Sequence, residues 1–317
     1  MGRGERSYAI IGTGAVGGYY GGLLARAGFD VRFLLHGDYE HVRAHGLRID
    51  SKDGDFALPR VRAYARAEDL PPSDVAVVAL KTTSNRLLPE LLPPALAEGG
   101  AVLTLQNGLG PEEDAAAAAG GRRVFGGLCF LCSTKVGPGH IRHLDYGQMT
   151  MGEHNPDPAG PPLGVSDRLR AIADDFRTAG VRVALADDLR VARWKKLLWN
   201  VPFNALSIIL DAATDAIMAD PRTEALARDA MREVQAAARA CGREIEDSAI
   251  QENLELTRRM TPYRSSMKID YDEGRALETE AIYGNPLRAA LAAGFHPPIL
   301  ETFYRLLKFL ERRRRGA

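Results

Sequence analysis

The chain has 317 residues and a mass of 34.5 kDa, which is enough for about two domains. Its 41 Lys and Arg residues balance 41 Asp and Glu residues, so the formal net charge is zero. This balance disfavours a nucleic-acid-binding protein, which normally carries a basic excess. The sequence contains no apolar run of about 18 residues and no signal-peptide core, so we expect a cytoplasmic protein without a membrane span.

Three cysteines are too few for a disulfide framework in a chain of this length. Cys129 and Cys132 form a Cys-x-x-Cys pair within the apolar run 128–132. A metal site would need further thiolates or histidines at ligand spacing. We interpret the pair as small hydrophobic residues of a buried strand, and we predict no metal site.

The first 35 residues have the pattern of one strand–helix–strand unit. Residues 8–11 are an apolar strand, a glycine-rich turn follows, and a helix runs to about residue 27. Gly28 ends the helix, and residues 31–35 form the next strand. The turn has the G-x-G-x-x-G spacing that binds the pyrophosphate of a dinucleotide at a helix N-terminus. The predicted cofactor-binding residues of this turn are Gly12, Thr13, Gly14, Ala15, Val16 and Gly17. A glycine turn serving another ligand is the alternative.

The pattern of buried strands continues through the N-terminal half. Residues 75–80 and 101–105 are predicted parallel strands, joined by a crossover helix over residues 85–96. Residues 123–134 and 141–151 flank the turn Gly137-Pro138-Gly139, so we expect one antiparallel strand.

The composition changes after a helix at 165–179 and a strand at 181–185. From Asp188 to Arg315 only helical periodicity remains. We therefore predict a Rossmann-type α/β domain with a mostly parallel sheet, residues 1–187, and an all-helical domain, residues 188–317.

Residues that follow the predicted strands 31–35 and 75–80 indicate whether NAD or NADP is bound. An acidic residue at the end of the second strand favours NAD, whereas a basic group there favours NADP. His36 occupies this position, and Asp38 follows two residues later. Lys81, predicted to close the strand 75–80, could add a second positive charge.

Lys196, Asn200 and Asn204 are spaced i, i+4, i+8, which places them on one face of an otherwise apolar helix. Burying an asparagine amide without partners costs about 1–3 kcal/mol, so a polar substrate could be the partner. The alternative is a solvated lysine face with asparagines that cap neighbouring turns. Pro202 removes one hydrogen bond of this helix.

Along essentially its whole length the sequence resembles the ketopantoate reductase family. The resemblance rests on motifs in a shared order, namely Ile11-Gly-Thr-Gly-Ala-Val-Gly17, Leu80-Lys81-Thr82, Gln106-Asn107-Gly108, Lys196…Asn200…Asn204, Ser265-Ser266-Met267 and Glu278. It implies a Rossmann-type domain, a helical domain and an active site in the cleft between them. The implied reaction is the reduction of a 2-keto acid to a 2-hydroxy acid by NADPH, with ketopantoate of the pantothenate and coenzyme A route as the expected substrate.

The resemblance also implies roles for single residues. Lys196 is similar to the family's general acid, and Glu278 to its acidic partner, which also orients the cofactor. Asn107, Asn200, Asn204 and Ser266 resemble substrate-binding residues. Asn107 and Lys81 also resemble cofactor contacts. A homodimer is compatible with this class of enzyme.

The sequence departs from the family pattern at three positions. His36 replaces the arginine that binds the 2′-phosphate, Tyr283 precedes Gly284 where asparagine is frequent, and Thr214 falls near a further substrate asparagine. Two alternatives therefore stay open: a reductase of another branched 2-keto acid or an imine, and a dinucleotide-binding sensor without turnover.

Overall fold

A computed structural model describes residues 6–157, 160–262 and 264–315. The described chain forms two compact units. Among the described residues, the first comprises residues up to 106 together with 111–189, and the second comprises 107–110 together with residues from 190 onward. The short segment 107–110 thus belongs with the C-terminal unit. The assignment of cofactor binding to residues 1–187 and of substrate chemistry to residues 188–317 stays a prediction.

The first unit is a mixed sheet covered by helices. Its strands are β1 (Ser7–Ile11), β2 (Asp30–Leu34), β3 (Leu47–Ser51), β4 (Phe56–Leu58), β5 (Arg62–Tyr64), β6 (Ser73–Val78), β7 (Leu96–Thr104), β8 (Arg123–Gly137), β9 (His140–Glu153) and β10 (Val183–Ala186). Its helices are α1 (Ala15–Arg26), α2 (Tyr39–His45), α3 (Leu88–Ala95), α4 (Pro111–Ala118) and α5 (Asp167–Thr178).

The strand order is β4-β3-β9-β8-β7-β6-β1-β2-β5, with β10 paired to β9. Among the described residues the antiparallel pairs are β8–β9 and β3–β4, and the other pairs are parallel. The prediction of a mostly parallel sheet with an antiparallel member is therefore confirmed.

The alternation of side chains along β1 shows why the central strands are mostly apolar. Tyr8 and Ile10 face one hydrophobic core, while Ala9 and Ile11 face another. Because side chains of a strand alternate between the two faces of a sheet, a strand covered on both faces is apolar at every position. The first core includes residues of α1 and α5, and the second includes residues of α3 and α4.

The structure corrects the predicted boundaries around Lys81. β6 ends at Val78, which pairs with Ile11, the last residue of β1. The last hydrogen bond between the two strands runs from Ala79 N to the Ile11 carbonyl oxygen at 2.9 Å, and the chain of β1 then turns at Gly12. Lys81 therefore does not close the strand; it precedes a 3₁₀ turn over Thr82–Leu87, and the crossover helix α3 begins only at Leu88.

The second unit is helical, as predicted. Its helices are α6 (Leu189–Ile209), α7 (Thr214–Ala219), α8 (Pro221–Ala240), α9 (Ser248–Arg259), α10 (Ser266–Asp272), a π-helical turn (Glu280–Gly284), α11 (Asn285–Ala292) and α12 (Pro298–Arg315). Its hydrophobic core includes many apolar residues of α6 and α8. Of the helices described, none is long and apolar enough to cross a membrane.

Candidate functional site

The glycine-rich turn joins β1 to α1 in the first unit. Gly12 has a φ of +100°, and a Cβ there would lie 2.7 Å from the Leu80 nitrogen. A Cβ at Gly17 would lie 2.2 Å from the Gly12 carbonyl oxygen. Both positions exclude a side chain, so the first and last glycines of the motif serve the tight turn and the close packing of helix on strand.

The middle of this turn is open. Gly14 is the N-cap residue of α1, no side chain caps the helix, and a Cβ at Gly14 would meet no atom within 4 Å. Thr13 Oγ1 donates to the Leu34 carbonyl oxygen at 3.0 Å and so ties the turn to β2. Ala15 and Val16 begin the helix. An uncapped helix N-terminus beside open space can bind the pyrophosphate of a dinucleotide.

His36 and Lys81 lie at the same edge of the sheet as this turn. Gly12 follows β1, His36 follows β2 and Lys81 follows β6, and these strands are parallel neighbours. Both basic side chains belong to exposed residues. The carboxyl edge of a parallel sheet is where such folds bind dinucleotides.

In the second unit, α6 presents three buried polar residues on one face. It is one continuous helix through Pro202, so Lys196, Asn200 and Asn204 keep their i, i+4, i+8 spacing. Lys196 is 8% exposed and Asn204 is 1% exposed. The residues between them pack into the hydrophobic core, so this face is not the solvated one that the alternative interpretation required.

Asn107 joins Lys196 to Glu278. Lys196 Nζ donates to Asn107 Oδ1 at 2.9 Å, and Asn107 Nδ2 donates to Glu278 Oε2 at 3.4 Å. Glu278 is 2% exposed. The amide thus offers its oxygen to the cation and its nitrogen to the anion, which is the only favourable orientation between two such charges. All three residues belong to the second unit.

The loop that carries Asn107 is held by the π-helical turn. Gly108 has a φ of +87°, and a Cβ there would lie 2.3 Å from the Ala281 carbonyl oxygen. Leu109 N donates to that oxygen at 2.9 Å. Asn285 Nδ2 donates to the Leu109 carbonyl oxygen at 2.5 Å. The loop is therefore fixed, immediately after the residue that contacts Lys196 and Glu278, by the close approach at Gly108 and by the two hydrogen bonds of Leu109.

Three buried oxygen atoms of the second unit have no hydrogen-bond partner within the described residues. They are Asn204 Oδ1, Ser207 Oγ and Thr279 Oγ1. Ser207 lies eleven residues after Lys196, so it falls within the same face of α6 as the predicted site residues. Thr279 directly follows Glu278. A buried polar atom without a protein partner can be satisfied by a bound polar ligand or by an ordered water molecule.

Ser266 is the first residue of α10 and is half-buried. Its neighbour Ser265 is the N-cap residue, whose Oγ accepts a hydrogen bond from Lys268 N. Ser265 therefore has a structural role, which leaves Ser266 as the member of the pair with a candidate binding role.

Some residues of this region were not found from the sequence. Asn285 holds the Asn107 loop, and Ser207 and Thr279 add polar oxygens, but none belongs to a recognisable local motif. The Gly284-Asn285-Pro286 sequence signals only a helix start. Elsewhere, Cys129 and Cys132 lie on β8, where Cys132 is buried and Cys129 is half-buried. The described residues contain no group of three or more His, Cys, Asp or Glu that could hold a metal ion.

Comparison with known proteins places both units in one family. The sequence model of the family ketopantoate reductase PanE/ApbA matches residues 8–156, and the sequence model of the C-terminal part of that family matches residues 188–311. A 2-dehydropantoate 2-reductase of Nostoc sp. is 54% identical over 311 residues, which cover 98% of this chain and 97% of that protein.

Solved structures give the same result. The 2-dehydropantoate 2-reductase of Geobacter metallireducens is 42% identical with a TM-score of 0.90, covering 95% of this chain and 99% of the other. The dimeric ketopantoate reductase of Staphylococcus aureus is 21% identical with a TM-score of 0.78, covering 97% and 99% of the two chains, and shares the fold.

Gly108→Ala is expected to lower the thermal unfolding midpoint more than Gly294→Ala. Both glycines have a left-handed φ, +87° and +79°, but a Cβ at Gly294 would meet no atom within 4 Å. The left-handed backbone alone costs an alanine about 1–2 kcal/mol. Gly108→Ala adds the clash with Ala281. Equal midpoints for the two variants would show that the contact with Ala281 does not fix the loop.

Proposed function

The chain belongs to the ketopantoate reductase PanE/ApbA family, and we propose that it reduces 2-dehydropantoate to pantoate with NADPH, the reductive step towards pantothenate. The observation that carries this proposal is the buried link Lys196–Asn107–Glu278. It supplies a positioned proton donor together with a counter-charge, which a ketone reduction needs and a dinucleotide sensor does not.

The first unit is suited to a dinucleotide. The open space beside Gly14 and the uncapped start of α1 fit a pyrophosphate, and Gly12 and Gly17 have no room for a side chain. We assign the phosphates to residues 12–17, and the adenosine end to His36 and Lys81. When bound, NADPH supplies the hydride that reduces the keto carbon.

Lys196 acts on the oxygen of the same carbonyl group. As hydride reaches the carbon, negative charge develops on oxygen, and an ammonium group beside it stabilises this charge and donates the proton. Asn107 fixes the position of Nζ through the 2.9 Å hydrogen bond. The carboxylate of Glu278 balances the buried positive charge, which would otherwise be costly.

The remaining polar groups of the second unit suit the rest of the substrate. Asn200, Asn204 and Ser266 can donate hydrogen bonds to a carboxylate. Asn204 Oδ1 is a buried acceptor that requires a donor. 2-Dehydropantoate has a terminal hydroxyl group that can donate, whereas a simple branched 2-keto acid has none. This difference favours 2-dehydropantoate over the alternative substrates.

The substrate assignment is tested with the purified enzyme by following the loss of NADPH absorbance. We expect 2-dehydropantoate to be reduced with a kcat/KM at least about 10³-fold above that of 3-methyl-2-oxobutanoate, which lacks the hydroxyl, because a site built for a hydroxyl discriminates strongly against its absence. Equal rates would favour a broader 2-keto acid reductase. No turnover with any 2-keto acid or imine would leave the sensor alternative.

Lys196→Ala is expected to reduce kcat by about 10²–10⁴-fold, the usual contribution of a general acid, and to change the dissociation constant of NADPH little. Lys195→Ala is the matched control. Lys195 points about 100° away on the same helix, and its half-exposed side chain pairs with Glu246 at 2.6 Å. Near-normal turnover of Lys196→Ala would exclude it as the proton donor.

NADPH is expected to give a higher kcat/KM than NADH, because His36 and Lys81 make the adenosine end basic. The preference for NADPH should be moderate, since neither residue is an arginine, whose planar guanidinium group can form two parallel hydrogen bonds to a phosphate. Steady-state kinetics with both dinucleotides measure it. A clear preference for NADH would indicate that Asp38 binds the ribose hydroxyls.

We also propose that the chain forms a homodimer, which rests on the dimeric relative from Staphylococcus aureus.

A further inference from the structure

Asp38 is the first acidic residue after β2, where dinucleotide folds that select NAD place a carboxylate for the ribose hydroxyls. It is the N-cap residue of α2, yet its side chain makes no capping hydrogen bond. It is only 8% exposed. A carboxylate at this position would be expected either to contact the ribose or to oppose a 2′-phosphate.

The carboxylate is instead directed at the β8–β9 hairpin. Asp38 Oδ2 accepts a hydrogen bond from Gly139 N at 3.0 Å and pairs with Lys135 Nζ at 2.7 Å. Gly139 has a φ of +62°, and a Cβ there would lie 2.8 Å from the Gly46 carbonyl oxygen. The turn that receives Asp38 is therefore itself packed against the end of α2.

The side chain of Asp38 is negatively charged, and its charge is balanced by Lys135. Burial by itself would raise the pKa of Asp38, but the hydrogen bonds from Lys135 and from the Gly139 N–H outweigh this and lower that pKa below its ordinary value. Asp38 is thus a carboxylate at neutral pH, with one ammonium group and one backbone N–H as its partners.

We propose that the Lys135–Asp38 ion pair is a determinant of dinucleotide selectivity: Lys135 holds the Asp38 carboxylate away from the ribose and balances its charge, so that the 36–38 loop accepts a 2′-phosphate. This inference rests on the proposed function for the identity of the cofactor. It makes Lys135, 97 residues further along the chain, a positioning residue for cofactor choice.

The test measures dissociation constants of NADPH and NADH by fluorescence titration of the full chain, without a keto acid. Lys135→Met keeps the apolar stem and removes the charge. We expect the dissociation constant of NADPH to rise about three- to tenfold, because the Asp38 carboxylate, no longer paired with an ammonium group, would repel the 2′-phosphate. That of NADH should stay unchanged or fall. Lys135→Arg should keep the wild-type ratio.

Two further variants distinguish an effect of the Asp38 charge on NADPH binding from a general loss of folded structure. In Lys135→Met/Asp38→Asn the unbalanced carboxylate is gone, so NADPH affinity should return towards the wild-type value. Lys52→Met is the control, because Lys52 forms a Lys–Asp ion pair of similar length with Asp145, at 2.5 Å, in the same unit. It should leave both dissociation constants unchanged.

The outcomes distinguish this inference from the proposed function. Equal weakening of both dinucleotides by Lys135→Met, an unchanged ratio, or failure of the double variant to recover NADPH binding would overturn the role of the pair while leaving keto acid reduction intact. Failure of the wild-type chain to bind either dinucleotide would overturn both.

Discussion

The second unit is organised around two opposite charges that are almost completely buried. Lys196 and Glu278 are 8% and 2% exposed, and a buried charge without a partner is strongly destabilising. The Asn107 amide lies between them and satisfies each with the appropriate atom. Asn107 begins the four-residue segment 107–110, which belongs with the second unit although the residues before and after it belong with the first. This segment is held by the left-handed backbone of Gly108, which lies close to Ala281, and by the two hydrogen bonds of Leu109.

Both units use glycine for the same physical purpose. At Gly12 and Gly17, and again at Gly108, a Cβ would lie within 2.7 Å of a backbone atom. The absence of a side chain lets one segment of backbone approach another, and the approach positions groups that a ligand can use. In the first unit these are the N–H groups at the start of α1, and in the second it is the Asn107 amide.

Local periodicity explains what could be predicted from the sequence. The β1–α1–β2 unit, the β8–β9 hairpin and the polar face of α6 were predicted because each signal lies within about 30 consecutive residues. The segment α2–β3–β4–β5 was missed. Its strands have only three to five residues, and β3 pairs with β9, about 90 positions further along.

Long-range partners also explain what could not be predicted about the site. Asn107, Lys196 and Glu278 were assigned by resemblance to a family, yet no periodicity shows that one amide contacts both charges. Asp38 was considered as a ribose ligand because its place after β2 is typical of one. Its partner Lys135 lies in another strand and has no sequence signal that connects it to Asp38.

Tyr283 illustrates how a departure from the family pattern can be structural. It stands where an asparagine is frequent, which suggested a change in substrate recognition. In the structure Tyr283 is fully buried, and its hydroxyl donates to the Val201 carbonyl oxygen of α6 at 2.9 Å. Burial raises the pKa of Tyr283, so the hydroxyl stays a neutral donor. The residue thus joins the π-helical turn beside Glu278 to the helix that carries Lys196. Because its hydroxyl is bonded within the protein, Tyr283 has a structural role in the second unit, in contrast to oxygens such as Asn204 Oδ1 that have no hydrogen-bond partner among the described residues.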